Sequence, residues 1–491
     1  MPKQPSLATR RSFILCLASL AAVLLACKLL APAATPTPTF TSLASAPVPT
    51  QSPPEPTPLQ AAPGTTPAPQ PTQTVNPSPL ARPWPDTTQG IHVFNDQLVP
   101  WMSAAQYRFA ATHYAGTQKM TRSDAERLRA LNPDFLILHY RLGGALGYRA
   151  IQGGCQPTGG WLEIIEGDQW VREWPGETAL SENWFFHWPQ AGRQRLLNCD
   201  WGWYQAELDD PAWRDYWQAE VLRQVQANAA DGVFMDSLSV PNFLGAERFS
   251  PRLPPVDAAF ESAWSERIAR WLEWLQGQPL GDYLLIPNVG GWITTRDLTD
   301  YRAADGVMIE GFALETDGSP LDPEDWRLQM DRALSFTRQG KALIAQVAGV
   351  VEPQPRLFAL GSYLLIKGEH TFINIELDLE PEWWPEYEIP IGAPTHSAMD
   401  SIDDLYQPVG KGGSETRPYI YRRDFSNGFV LVNPGPRTLQ VDLERAAYLA
   451  QPEGGGALPA DGVPTGALSY TAVTQISLPP VSALILLDES P

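Results

Sequence analysis

The chain has 491 residues, 55 acidic against 35 basic side chains, and a net charge of −20. That length allows a large core or two to three domains. The absence of a basic run excludes a phosphate-neutralising nucleic-acid face, and the acidity suits a neutral or cationic ligand.

The chain opens on a targeting pattern. Arg10 and Arg11 precede an apolar run from Phe13 to Ala26, shorter than the roughly 20 residues that cross a bilayer. Residues 1–30 therefore read as a signal segment. Thr9-Arg10-Arg11-Ser12-Phe13-Ile14-Leu15 resembles a twin-arginine export signal, and an ordinary positive n-region is the alternative. Leu24-Leu25-Ala26-Cys27 resembles a lipobox, which would put a lipid on Cys27 and anchor the protein without a membrane span. The expected location is extracytoplasmic, at the cell surface or in the periplasm. Residues 31–88 are Pro, Thr, Ala and Ser with little charge and few large apolar side chains. Such a stretch buries too little to offset its ordering entropy, so it is expected to be an extended, unstructured linker.

From residue 91 short apolar runs alternate with helical segments. The runs are Ile91–Phe94, Phe109–His113, Phe135–Tyr140, Gly232–Met235, Tyr283–Ile286, Gly306–Ile309, Ala342–Val347 and Thr371–Ile375. Continuous apolar strands between helices indicate a parallel sheet covered on both faces. Phe260, Trp264, Ile268, Trp271, Leu272 and Leu275 share one helix face. Asp210-Pro211 and Asp322-Pro323 are helix starts, and Thr121 with Asp124 resembles a capping box. Eight such units over 89–410 predict an α/β fold, a (β/α)8 TIM barrel. A doubly wound sheet is disfavoured because no Gly-rich phosphate loop follows the first strand. Residues 143–209, rich in Trp and Gly, are expected to be a long insertion over the active face. Residues 411–491 change to antiparallel β, with a hairpin at Ser426-Asn427-Gly428. They predict a small β-sandwich, a buttress more than a sugar-binding module.

Cys155 and Cys199 both fall in the insertion. In an oxidising compartment they either pair in a disulfide or remain free. The six His are scattered without ligand spacing, so no metal or other cofactor is expected.

Active residues of such barrels sit at the C-terminal strand ends. Two acids directly end apolar strands, Asp236 in Asp231-Gly-Val-Phe-Met-Asp236 and Glu310 in Asp305-Gly-Val-Met-Ile-Glu310. Asp231 and Asp305, at the opposite ends, are expected to cap or turn. Paired carboxylates at a barrel mouth are what glycoside hydrolysis requires. The bland alternative is that both only bond neighbouring side chains. Candidate substrate contacts at the remaining strand ends are Asp96, His113, Tyr114, His139, Tyr140, Arg141, Asn288, Gln346 and Asn374, with Glu376 beyond it. Core packing competes as the role of His139. Trp161, Trp170, Trp184, Trp201 and Trp203 of the insertion are candidate stacking platforms, with a small core of their own as the alternative.

The strings His113-Tyr-Ala-Gly-Thr-Gln, Phe135-Leu-Ile-Leu-His-Tyr, Asp231-Gly-Val-Phe-Met-Asp, Pro287-Asn-Val-Gly-Gly-Trp292 and Asp305-Gly-Val-Met-Ile-Glu-Gly-Phe resemble bacterial TIM-barrel glycosidases of hypothetical glycosyl hydrolase family 15. The resemblance covers most of residues 90–380. It implies the barrel and a glycosidase reaction on an oligo- or polysaccharide, and it adds Trp292 to the candidate contacts. More distantly, acids after strands four and six resemble the layout of the α-galactosidase-like clan, which implies a nucleophile at Asp236 and an acid/base at Glu310. A chitinase-like pattern fails because Leu238 stands where Glu is needed. The clan with Glu on strands four and seven fails at Gln346. A non-catalytic carbohydrate-binding lipoprotein on a degenerate barrel is the second function class, since fold alone does not fix function.

Overall fold

A computed structural model of the chain describes residues 82–99, 101–147, 155, 161–165, 168–173, 181–377, 381–396, 399–410 and 418–491. The twin-arginine string, Cys27 and linker residues 31–81 lie outside the described residues, as do the side chains of Trp161 and Trp170.

Eight parallel strands form the barrel: β1 (Val93–Gln97), β2 (Tyr114–Gln118), β3 (Leu136–Leu142), β4 (Gly232–Asp236), β5 (Leu284–Pro287), β6 (Gly306–Glu310), β7 (Ala342–Ala348) and β8 (Thr371–Glu376). Sequence neighbours pair from β1 to β5 and from β6 to β8, and β1 pairs β8. The seam between β5 and β6 closes through the Asn288–Met308 bridge and the Val289 N to Met308 O bond. Side chains alternate across each strand. Phe94, Leu136, Leu138, Phe234, Ile286, Met308, Ile344 and Phe372 fill the interior as one buried cluster. Their neighbours in sequence, such as Ile137, Val233 and Val307, pack outward in the larger core under the helices.

The helices are α1 (Ala104–His113), α2 (Arg122–Arg129), α3 (Pro211–Ala227), α4 (Ala258–Gln276), α5 (Pro323–Thr337) and α6 (Pro353–Ile366). Asp210 caps α3 by accepting from Trp213 N, with Pro211 in the first turn. Thr121 caps α2 by accepting from Asp124 N. Among the described residues no α-helix lies between β5 and β6. Arg332 of α5 holds that loop instead, donating to the carbonyls of Trp292, Thr294 and Asp297.

The second strand is a correction. Phe109–His113 ends α1, and the strand begins at Tyr114. Ser103 and Gln106 form a reciprocal capping box that commits 104–113 to helix. The apolar run there is the helix face that buries Tyr107, Phe109, Ala110 and Ala111. The true strand, Tyr-Ala-Gly-Thr-Gln, is too polar to stand out.

The folded part also starts before residue 89. Arg82 donates to Asp231 Oδ1 at 2.9 Å, Trp84 packs on Phe94 and Phe372, and Thr87 N bonds Glu369 O at 2.6 Å. These contacts lie at the N-terminal ends of the strands. Asp231 and Asp305 act there as caps, accepting from Ile137 N and Leu285 N at 2.8 Å each.

In the insertion, Ala145–Gly147, Trp203–Gln205 and Leu197–Asn198 form a small antiparallel sheet with Phe249–Ser250 from the loop after β4. Cys155 and Cys199 are joined by a disulfide.

The C-terminal module is a six-stranded antiparallel sheet of β9 (Tyr406–Pro408), β10 (Tyr419–Phe425), β11 (Gly428–Asn433), β12 (Leu439–Glu453), β13 (Ala467–Leu478) and β14 (Ser482–Leu487), ordered β9-β10-β11-β14-β12-β13. Both faces are buried. Val430, Val432, Ala483 and Ile485 join the barrel core, while Ile420, Phe429, Leu431, Ile476 and Leu486 form a separate cluster. The approach to α6 is close. A Cβ on Gly361 would lie 2.3 Å from that of Ala483, so a larger residue there would push the sheet off. Arg356 of α6 pairs with buried Glu386 at 2.6 Å. Among the described residues no helix is long and apolar enough to cross a membrane.

Candidate active site

Above the interior cluster, the next inward-facing position of each strand is polar. Two residues beyond Phe94, Leu138, Phe234, Ile286, Met308 and Ile344 stand Asp96, Tyr140, Asp236, Asn288, Glu310 and Gln346. All six line a cavity of about 1110 Å³ at the C-terminal mouth, together with Lys119, Trp201, Trp203 and Glu376.

Asp236 and Glu310 are linked by one amide. Asn288 Nδ2 donates to Asp236 Oδ1 at 3.0 Å and to Glu310 Oε2 at 2.7 Å. Its Oδ1 accepts from Gly290 N at 3.0 Å, which fixes which end of the amide faces the acids. Asp236 also accepts from Tyr140 OH at 2.6 Å and Ser237 N at 2.7 Å. Burial and the charge of Asp236 push the Tyr140 phenol well above its ordinary range, so it stays a donor.

Glu310 is reachable by water from the cavity, yet protein walls it on most sides. That walling, and then the charge of Asp236, raise its carboxyl above the usual range, against the lowering effect of the Asn288 bond. The surrounding protein governs this shift more than the water-facing edge does, because the edge opens into the confined mouth.

Across the mouth, Asp96 Oδ2 pairs with Lys119 Nζ at 2.7 Å, and Gln118 Nε2 donates to Asp96 Oδ1. Lys119 also lies 5.3 Å from the Tyr140 ring centre. Gln346 takes a bond from Asn374 at 3.0 Å and passes one to Glu376 Oε2. Burial and the nearby Asp96 push Glu376 up to about 8.

Several expected contacts lie elsewhere. His139 and Arg141 alternate with Tyr140 and therefore face out of the barrel. His139 bonds Gln224 of α3 at 2.9 Å, and burial pushes its imidazole down to about 4, so it is a neutral packing group. Arg141 is buried on the same outer face, close enough to lower Glu220 of α3. His113 ends α1, stacked on Phe109 at 3.7 Å. Tyr114 begins β2 at the end away from the mouth and donates to Glu382 O at 2.6 Å. Trp292 touches the cavity, but its ring packs edge-on against Tyr301 and Phe336 with Arg332 beside it, which makes it a support for its loop. Asn374 acts through Gln346. Trp201 and Trp203 stack 5.5 Å apart at the cavity edge, while Trp184 stacks on Tyr216 of α3.

Lys119 lines the cavity just after β2, a position that the displaced second strand hides. Reading the mouth as His113 and Tyr114 put it five residues too early. Counting inward positions by twos from the apolar residues would also have separated Tyr140 from its neighbours. Among the described residues no group of three His, Cys, Asp or Glu is arranged to hold a metal ion.

Residues 129–429 match the family described as hypothetical glycosyl hydrolase family 15. No curated protein matches the sequence. Among solved structures, the glycoside hydrolase domain of PelA from Pseudomonas aeruginosa is 15% identical, covering 62% of this chain and 97% of that one, with a TM-score of 0.35. Trehalulose synthase MutB from Pseudomonas mesoacidophila MX-45 is 12% identical, covering 81% and 91%, with a TM-score of 0.36. Maltogenic alpha-amylase AmyB from Thermotoga neapolitana is 11% identical, covering 80% and 98%, with a TM-score of 0.35.

Proposed function

The chain belongs to hypothetical glycosyl hydrolase family 15, and on that premise we propose that it hydrolyses O-glycosidic bonds with retention, Asp236 acting as nucleophile and Glu310 as general acid and base. The observation that carries this reading is the shared Asn288 nitrogen. Bonds of 3.0 and 2.7 Å to one atom keep Asp236 Oδ1 and Glu310 Oε2 no farther apart than their sum. Such closeness of the nearest oxygens supports a retaining pair, whose carboxyl groups lie roughly 5–5.5 Å apart.

In the first step an Asp236 oxygen bonds the anomeric carbon while the bond to the leaving oxygen breaks. Glu310 gives its proton to that oxygen, a role suited to a carboxyl held above its ordinary range. In the second step Glu310 takes a proton from water, the hydroxide oxygen bonds the anomeric carbon, and Asp236 leaves with its electron pair. Tyr140, Asn288 and Ser237 orient Asp236 throughout.

The substrate class is an oligo- or polysaccharide. Trp201, exposed at the cavity edge and backed by buried Trp203, supports an extended sugar chain, because an indole face stacks on a sugar ring. We also propose export through residues 1–30 with lipid on Cys27, supported by the lipobox-like string. Lipid labelling of membrane fractions tests it, and an unlipidated mature form beginning elsewhere would refute it.

The functional test is a broad oligosaccharide and polysaccharide digestion screen with wild type, Asp236→Asn and Glu310→Gln. Turnover by wild type and loss of several orders of magnitude in both variants is the expected result. Wild-type rates in both variants would overturn the assignment. Sugar binding without turnover of any glycoside would favour the carbohydrate-binding lipoprotein.

A further inference from the structure

Resting on the glycosidase reading above, we propose that Asp96, Lys119 and Glu376 form a second arc of the cavity, built to grip adjacent hydroxyls of an uncharged sugar ring. The arc spans the inner ends of β8, β1 and β2, across the mouth from Asp236, Asn288 and Glu310, and all three residues line the same cavity.

Its geometry is held by partners that do not themselves need a ligand. Gln118, fully buried, donates to one oxygen of Asp96, and Lys119 takes the other at 2.7 Å. An ammonium has three hydrogens, and among the described residues Asp96 occupies one of those on Lys119. The relay from Asn374 through Gln346 fixes one oxygen of Glu376.

Lys119 has a backbone that a merely solvated lysine does not need. Its φ is 64°, in the left-handed region that is costly for a residue with a long side chain. Ser237, at φ 54°, occupies the same kind of conformation just after Asp236. Strain of this sort gathers where a site fixes a side chain. Here it accompanies an ammonium placed beside both Asp96 and the Tyr140 ring.

The charges then choose the ligand. The ionisable groups close enough to Glu376 to act on it are Asp96 of β1, Lys119 at the end of β2 and Glu382 beyond β8. With its carboxyl at about 8, Glu376 carries a proton at neutral pH. The arc thus holds one carboxylate, one ammonium and one neutral acid, and it has no net charge. Asp96 accepts while Lys119 and Glu376 donate, which matches a pair of hydroxyls that can each do either. A uronate would face Asp96, and the ammonium of an amino sugar would face Lys119.

The test is calorimetric or saturation-transfer NMR binding of full-length protein to methyl glycosides at pH 6.5. The panel contains both anomers of glucose, galactose and mannose, with the corresponding uronates and 2-amino sugars. A neutral glycoside should bind most tightly. Asp96→Asn and Lys119→Asn should each weaken it at least tenfold. Asn tolerates the left-handed backbone, so the second variant keeps the turn. Raising the pH to 9 should weaken wild type but not Glu376→Gln, whose amide mimics the protonated acid. A charged glycoside binding best, unchanged affinity in the folded variants, or no binding of any neutral glycoside would overturn the proposal. Binding that follows this pattern without turnover would support the arc while refuting the glycosidase reading. A hydrolysed substrate whose binding ignores Lys119 would refute the arc alone.

Discussion

Asp236 and Glu310 accept hydrogens from the same nitrogen, Asn288 Nδ2, at 3.0 and 2.7 Å. One amide thus sets the spacing of the two acids and compensates both. Asn288→Ala should leave the fold intact and lower kcat by about 100-fold, the size expected for losing charge-assisted bonds in a confined site. Because the Asn288 bond lowers Glu310, its removal should raise that carboxyl further. The alkaline limb of kcat/KM should move to higher pH, and a pH–rate profile of wild type and variant reads this.

Tyr140 separates orientation from packing. Tyr140→Phe deletes the 2.6 Å bond to Asp236 and keeps the ring beside Lys119. The expected cost is about 10–100-fold in kcat, from a hydrogen bond to a charged group worth about 1.5–3 kcal/mol, with little change in melting temperature. A large drop in Tm with unchanged kcat would reverse the assignment.

The raised carboxyl of Glu376 implies a pH dependence of stability. Its folded carboxyl is raised from 4.5 to about 8, so its contribution is fully present below about 4.5 and is lost as pH rises through about 8. Glu376→Gln should therefore flatten the fall in Tm between pH 5 and pH 9. Parallel melting curves across that range check it.

The N-terminal boundary is testable by truncation. Removing residues 1–81 should leave Tm unchanged, because Arg82 and Trp84 remain. Removing 1–85 deletes the Arg82–Asp231 pair and the Trp84 packing on Phe94 and Phe372. The second truncation should cost on the order of 3 kcal/mol, read by thermal or denaturant unfolding.

The disulfide should stabilise the insertion. It closes a loop with a sequence separation of 44, for which chain entropy gives about 4 kcal/mol. Cys155→Ser with Cys199→Ser should lower stability by up to that amount. Reactive thiols at Cys155 and Cys199 themselves in unreduced, denatured protein would contradict the bond.

The two acids were legible because each directly ends a wholly apolar strand, a pattern that burial forces on the sequence. Tyr140 was legible as a strand end but not as distinct from His139 and Arg141, since only the alternation fixed by Leu136 and Leu138 separates them. Lys119 was hidden because β2 is polar and lies next to an apolar helix face that imitates a strand. The missing helix after β5 was also unreadable, as Arg332 replaces it with hydrogen bonds between segments distant in sequence. The bridging role of Asn288 depends on two strand ends meeting in space, which no local pattern reports.

The central claim is covalent catalysis by Asp236. Once the screen supplies a substrate, its 2-deoxy-2-fluoro analogue with an activated leaving group should trap the glycosyl-enzyme. Peptide mapping by mass spectrometry then locates the sugar. The account predicts one adduct, on Asp236, accumulating in wild type and absent in Asp236→Asn. An adduct on Glu310, Asp96 or Glu376, or no adduct together with an inverted anomeric product, would contradict it.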